Sequence, residues 1–524
     1  VVVTALATVL PAQNLCWGNG IPSAYVRCTP GVLGRQISAD FGSFTQPNGF
    51  ALLSFSFGIG PTTSPFVGPI CLDVTSPAYT VLFFLLDATG NAHWSPTVPN
   101  DPNWLGLHPF FLDAATLETV GISVSKTVRL GIEAGDSFDP LAAQGFGTLH
   151  TATPLYIGPF DQRSEVFLAG GAIGSIITPS PMNATMLFSP LDRMFRAGPP
   201  MSLPRSGHQA VRLLDGRVLI TGGMTTGGLG TASCELYDPS TNTMTPAGSM
   251  SVARICHGIS LLPDGRVLAA GGFADWSNAS GQFAQMLSTA QASSEIYSPG
   301  ANSWTPGPTM ASPRAGQSHT TLLDGRVLIV GGVASGQTIN YFSVYQVPFF
   351  TPSCEIFDPA TNGLAATAPL NLPRGFHGAT RLANGNVLVT GGAVSDTNSV
   401  ATCSGDCVYW NQLAGTWSPT AQLSTPVAFH TQVADPLGKA VVMGGFTGQF
   451  GFAPASNQAG VHDGTTFTHT RDLGTHAVFT QPATARAGHS CTLLQDGTFL
   501  VWGGQSPTLL STIQTWTDGY VYVQ

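Results

Sequence analysis

The side chains best suited to chemistry sit in a recurring pentad. "PRSGH", "ARICH", "PRAGQ", "PRGFH", "PVAFH" and "ARAGH" set an arginine three residues ahead of a histidine, with Val427 replacing the arginine once and Gln317 replacing the histidine once. The histidines are His208, His257, His377, His430 and His489, and His319 follows two residues after Gln317. Imidazoles converging on one mouth could bind a metal or an anion, and "RICH" adds a thiol, Cys256, beside His257. A site, however, needs unlike residues converging from different elements, and these recur in almost every copy. The preferred reading is therefore structural: arginine and histidine hydrogen-bond neighbouring loops. No metal or other cofactor is expected, and His208, His257 and His489 are the residual metal candidates.

Other reactive patterns are scarce. The acids recur too, as Asp215, Asp264 and Asp324 in turns and as Glu235, Glu295 and Glu355 beside a strand, so they also read as structural. No GxSxG, HExxH or phosphate-loop motif occurs. Nine cysteines is an odd number; Cys403 with Cys407, and Cys16 with Cys28, are the disulfide candidates for an exported chain. Asn183 and Asn278 lie in N-x-[ST] sequons. The unrepeated aromatics lie in two long loops. They supply Phe273, Trp276, Phe283, Tyr341, Phe342 and Tyr345, which with Arg254 and His257 form the candidate ligand-binding set. Clustered exposed aromatics suit carbohydrate stacking or protein contact; the alternative is that the loops fold back over them.

The elements that must position these residues are visible in the register. Apolar runs ending in Gly-Gly, from "VFLAGG" to "FLVWGG", place their first glycine at 170, 222, 271, 331, 391, 444 and 503. Ahead of most of them, "LLDGRVLI" and its variants put Asp-Gly or Asn-Gly between two apolar strands, a strong hairpin signal. After them come "CELYDPSTN", "SEIYSPGAN" and "CEIFDPATN", with large apolar residues five and eleven positions beyond the turn proline. Each unit reads as a four-stranded antiparallel blade, and such units stack radially because a lone blade cannot bury both faces. Seven Gly-Gly pairs imply seven blades, with six as the alternative. The loop after Gly-Gly and the start of the next blade share one face, the default binding face.

This pattern resembles the kelch repeat over roughly residues 150 to 524, and the resemblance implies a β-propeller. The pentad also resembles that of galactose oxidase and its radical-copper relatives, which are kelch propellers. The resemblance implies a tyrosine just before the copper-ligating histidine, where this chain has Cys256, Gly207, Gly316, Phe376, Phe429 and Gly488. The radical machinery is thus missing, although Trp276 lies near the place of that family's stacking tryptophan. Residues 14–135 carry alternating apolar runs such as "FALLSFSFG" and read as a small antiparallel β-sandwich. They look like a module of secreted proteins in some environmental bacteria. Residues 1–13 read as a signal-peptide remnant, with a first buried strand as alternative, 136–150 as a linker, and 151–524 as the propeller.

Composition narrows the function. Of 524 residues only 9% are charged, the formal net charge is −9, and 62 glycines and 39 prolines fit a turn-rich, all-β chain. That balance argues against a nucleic-acid partner, and no stretch is apolar enough to span a bilayer. The expectation is a secreted or cell-surface binding, adhesion or matrix protein that takes a protein or glycan on its loop face. The alternatives are a kelch-class enzyme, either copper oxidase-like or sugar-processing, and a structural protein that self-associates.

Overall fold

In the computed structural model, side chains are described over most of 147–505. The gaps fall at 156–164, 174–179, 191–193, 276–288, 335–348, 396–400, 449–453, 471, 474–484 and 495–496; elsewhere only strand pairing is described. Among the described residues there is no helix. Seven four-stranded antiparallel sheets form, and their first strands touch in a closed ring. These strands run Thr151–Pro154, Gln209–Arg212, Gly258–Leu261, Ser318–Thr321, Gly378–Arg381, Thr431–Ala434 and Ser490–Leu493, and they begin blades 1 to 7.

Every second strand, such as Val267–Ala270 in blade 3, is buried along its whole length, because neighbouring blades cover both of its faces. The residues eleven beyond the turn prolines, Met201, Met250, Met310 and Leu370, fill the gaps between blades.

Six blades are contiguous in sequence. The seventh is composite: Gly519–Val523 pairs on its outer side with Ser137–Leu141. The span read as a linker thus supplies the outermost strand of the last blade. Upstream, Phe50–Ser56, Thr80–Leu85, Phe110–Glu118, Gly121–Val124 and Val128–Leu130 form one antiparallel sheet, and Ala24–Cys28, Ala39–Ser43 and Asn91–Trp94 form another.

Gly-Gly is demanded twice over. The first glycine of each pair sits at positive φ, and a Cβ on Gly271 would lie 2.4 Å from the Arg314 carbonyl of the next blade. The second presses on its own blade's pentad, where a Cβ on Gly272 would lie 2.8 Å from Cβ of His257. A side chain at the first position would push two blades apart, and one at the second would push the blade's own pentad off its second strand.

Candidate functional site

Each pentad makes the same tight turn onto the loop face. Its residue before the positive-φ position bridges to the residue directly after Gly-Gly, as in Ile255 with Phe273 and Ala428 with Phe446. Phe273 is thereby a repeat position, equivalent to Met224, Val333 and Ala393, and it is fully buried in an apolar layer with Ile255, Ala315 and Phe350. It is not an exposed ligand contact. Alignment on Gly-Gly could have found this, since the residue after the pair is large or apolar in most blades. The side chains of Trp276, Phe283, Tyr341, Phe342 and Tyr345 lie outside the described residues. The loop of blade 4 forms a long hairpin, Val333–Tyr341 with Ser343–Phe350, and it leaves Phe349 half-exposed.

Arg254 and His257 are also spoken for. Arg254 is fully buried and donates to the carbonyls of Gly271 (2.8 Å) and Ser293 (2.9 Å), to Ser293 Oγ and to Glu295 (3.0 Å). Arg205 with Glu235 and Arg314 with Glu355 repeat the arrangement. In blade 5 Arg374 pairs instead with Asp406, which lies just before the third strand.

The histidines bridge blades. His257 Nε2 meets Thr221 Oγ1 of blade 2 at 2.8 Å, His208 meets Thr151, His430 meets Thr390 and His489 meets Thr431. A further member, not evident from the pentad pattern, is His150 of "GTLH", where Gly147 stands in place of the arginine. Its Nδ1 lies 3.1 Å from the Gly147 carbonyl, which can only accept, so Nε2 is left to accept from Ser490 Oγ at 2.7 Å. Burial holds these imidazoles neutral. It lowers His150 and His430 to about 4 and His377 to about 3, and with the Arg205 guanidinium it lowers His208 to about 3. His257 and His489 fall well below the usual histidine value for the same reason.

The metal candidates His208, His257 and His489 are therefore turned to different blades rather than to one centre. Among the described residues no group of three or more His, Cys, Asp or Glu could hold a metal ion. Cys403 and Cys407 are both free thiols: Cys407 Sγ turns into its blade toward the Gly405 carbonyl, while Cys403 packs near Phe429 and Phe446. Cys16 and Cys28 lie outside the residues whose side chains are described.

The position just before the histidine remains. Leu149, Gly207, Cys256, Gly316, Phe376, Phe429 and Gly488 all adopt positive φ, between 51° and 64°. Each N–H donates to the carbonyl of its counterpart one blade back, and Leu149 closes the cycle onto Gly488, with lengths of 2.8–3.2 Å. This seven-membered ring of hydrogen bonds encircles the propeller axis at the loop face and joins the blades directly. Four of its members carry side chains. Phe376 and Phe429 stack at 4.0 Å, Phe446 meets Phe429 edge-on, and Cys256 rests on the same apolar layer with its thiol pushed up to about 12 by burial.

No family model matches the sequence, and no curated protein matches it. Solved structures do match in shape. One, titled as a fungal alcohol oxidase of the AA5 family in complex with copper, has 16% identity and a TM-score of 0.54, covering 74% of this chain and 76% of that one. Another, titled as the structure of YjhT, has 15% identity and a TM-score of 0.46, covering 63% of this chain and 99% of that one. At such identities the likeness is one of fold.

Proposed function

We propose that the protein is an exported, non-enzymatic binding or adhesion module that takes a protein or glycan ligand on its loop face, at the mouth of the axis. The observation carrying this reading is the ring of positive-φ residues. Glycine would suit all seven positions, yet Leu149, Cys256, Phe376 and Phe429 hold side chains there. Each costs roughly 1 kcal/mol of backbone strain, and strain retained at one place is the mark of a functional position. What it yields is an apolar, partly aromatic patch suited to stacking on a sugar face or an aromatic side chain. The half-exposed Phe349 and Leu229 add to the same face, and the apolar N-terminal stretch supports export.

Glycan-array and peptide-display binding of the intact protein, compared with Phe376→Gly and Phe429→Gly, tests the reading. The expected result is binding lost while melting temperature stays within a few degrees, because relief of strain offsets lost packing. A steep fall in stability with unchanged binding would make the patch structural. Stoichiometric copper found by metal analysis and electron paramagnetic resonance would overturn the reading in favour of an oxidase.

A further inference from the structure

We propose that a cleft between blades 5 and 6 is a binding site for a guanidinium group, the arginine side chain of a protein partner. Sibling slots in the same chain show what such a place is built to hold. In blades 2, 3, 4, 5 and 7 the pentad arginine donates from Nη1 to the carbonyl of the first Gly-Gly residue. The lengths are 2.8 Å to Gly222 and Gly271, 3.5 Å to Gly331, 2.9 Å to Gly391 and 3.0 Å to Gly503. In blades 2 to 5 the same nitrogen also reaches a carbonyl just before the third strand, as Arg254 reaches Ser293. Blade 6 keeps this frame and omits its occupant. Val427 stands at the arginine position, and the matching carbonyls belong to Gly444 and Gln458. The Gly444 N–H donates to the Gln458 carbonyl at 2.8 Å, as the Gly271 N–H does to Ser293 at 3.1 Å, so the two carbonyls stand in the same relation. Among the described residues nothing donates to the Gly444 carbonyl.

Carbon takes over the glutamate's place here but leaves part of the slot open. The ring of Phe467 covers Gly460 at the glutamate register, whereas the short valine stops well before the carbonyls that a guanidinium would reach. What remains is a half-open cleft with about 220 Å³ of space, lined by Leu423, Val427, Val442, Gly444, Gln458 and Phe467. On its rim Gln458 Oε1, which accepts from Ser424 Oγ at 2.9 Å, holds the place of the Ser293 hydroxyl that accepts Arg254 Nη2 in blade 3. No charged side chain lines the cleft, its carbonyls only accept, and its wall is partly aromatic. A guanidinium matches all three, because it donates from several N–H groups in one plane and stacks on an aromatic face. An ammonium offers no flat face to Phe467, and an anion would meet the two carbonyl oxygens. A carboxylate at the glutamate register is not required, since blade 7 buries Arg486 with Tyr520 at that register. The ligand's outer nitrogens keep their water in the half-open cleft, and the formal charge of −9 draws cations to the chain. The cleft lies at the loop-face end of blade 6, outward from the axis patch, and gives that face an anchor independent of Phe376 and Phe429.

Isothermal titration of the full chain with N-acetyl-arginine methylamide at physiological salt tests this. Saturable binding is expected, roughly tenfold tighter than for N-acetyl-citrulline methylamide, which keeps the shape and loses the charge. N-acetyl-lysine methylamide, with the charge but not the plane, should also bind more weakly than the arginine probe. Val427→Arg supplies the slot with its own guanidinium and Val427→Met fills it with carbon, so each should abolish binding, with thermal melts verifying the fold. Phe467→Leu removes the ring face, should weaken binding severalfold, and serves where a Val427 variant does not fold. Asp264→Ala, on the opposite face, should leave the affinity unchanged. A displayed peptide library should yield arginine-bearing sequences on the native chain and lose them on Val427→Arg. Absence of saturable binding would overturn the proposal. So would equal affinity for the citrulline or lysine probe, binding that persists in the folded cleft variants, or selected peptides without arginine.

Discussion

Blade 3 contains two arginine–carboxylate pairs that the fold has put in opposite surroundings. Arg254 and Glu295 meet with side chains 0% and 4% exposed; Arg266 and Asp264 meet at the turn with 25% and 45% exposed. The arginine of the buried pair donates to the Gly271 and Ser293 carbonyls, the latter shared with the Gly271 N–H, and Glu295 also accepts the N–H of Ser251 from the link between blades. The exposed pair closes a hairpin turn in water. Blade 6 dispenses with the buried pair and fills its place with carbon. Val427 stands at the arginine position and Gly460 at the glutamate position, and the ring of Phe467 occupies the space, 2.2 Å from where a Cβ on Gly460 would be. Blade 1 likewise lacks both, with Gly147 and Met186 in their places. Blades 1 and 6 thus lose both members together, whereas blade 5 keeps Arg374 with Asp406 as its carboxylate and blade 7 keeps the buried Arg486, donating to the Gly503 carbonyl, with Tyr520 in the register of the glutamate.

The largest way to break the contrast is acid. The buried imidazoles have folded values near 3 to 4 against 6.5 unfolded, so below pH 6.5 the unfolded chain takes up protons that the folded chain refuses. Stability present above pH 6.5 is then lost as pH falls, at about 1.4 kcal/mol per pH unit for each imidazole, and a cooperative unfolding transition between about pH 6 and 4 should appear by circular dichroism. The exposed ion pairs would barely register there.

Next comes the buried pair itself. Glu295→Ala should cost about 3–5 kcal/mol by stranding Arg254, and the melting temperature should fall by many degrees. The double change Arg254→Val/Glu295→Gly, copying blade 6, should cost less than Glu295→Ala alone; a fully additive result would break the idea that the pair acts as a unit. Gly271→Ala should cost about 2–3 kcal/mol from the positive φ and the contact with the Arg314 carbonyl, and it should loosen hydrogen-exchange protection at the boundary of blades 3 and 4. Smallest is Asp264→Ala at the exposed turn, below about 1 kcal/mol by chemical denaturation.

Much of this architecture was legible residue by residue. The Asp-Gly hairpins, the buried second strands and the apolar ladder through Met250 and Met310 all come from local periodicity. The histidine register was legible as well, and its repetition pointed to hydrogen bonds with neighbouring loops; His208, His257, His430 and His489 bond instead to threonines on the strands of the neighbouring blade. His150 escaped because a pattern keyed on arginine passes over Gly147. Ser137–Leu141 escaped because its partner strand lies at the other end of the chain, and no local signal reports so distant a pairing. Cys403 and Cys407 suggested a bridge by proximity in sequence, but one turns into its blade and the other toward the loop-face layer. The backbone of Cys256, Phe376 and Phe429 was hidden for another reason: positive φ is written plainly only in glycine.

The sequence by itself determined the blade, because strand alternation, tight turns and close-packed Gly-Gly are local properties of a few consecutive residues. It also determined that arginine, glutamate and histidine recur at fixed places within that blade. Only the tertiary structure decided that there are seven, by closing a ring of hydrogen bonds from Leu149 to Gly488 that no single repeat contains. It decided, too, which side chains are spent on holding blades together and which are left at the axis. Burial and strain are set by neighbours brought from other blades, and a repeat read alone has no neighbours.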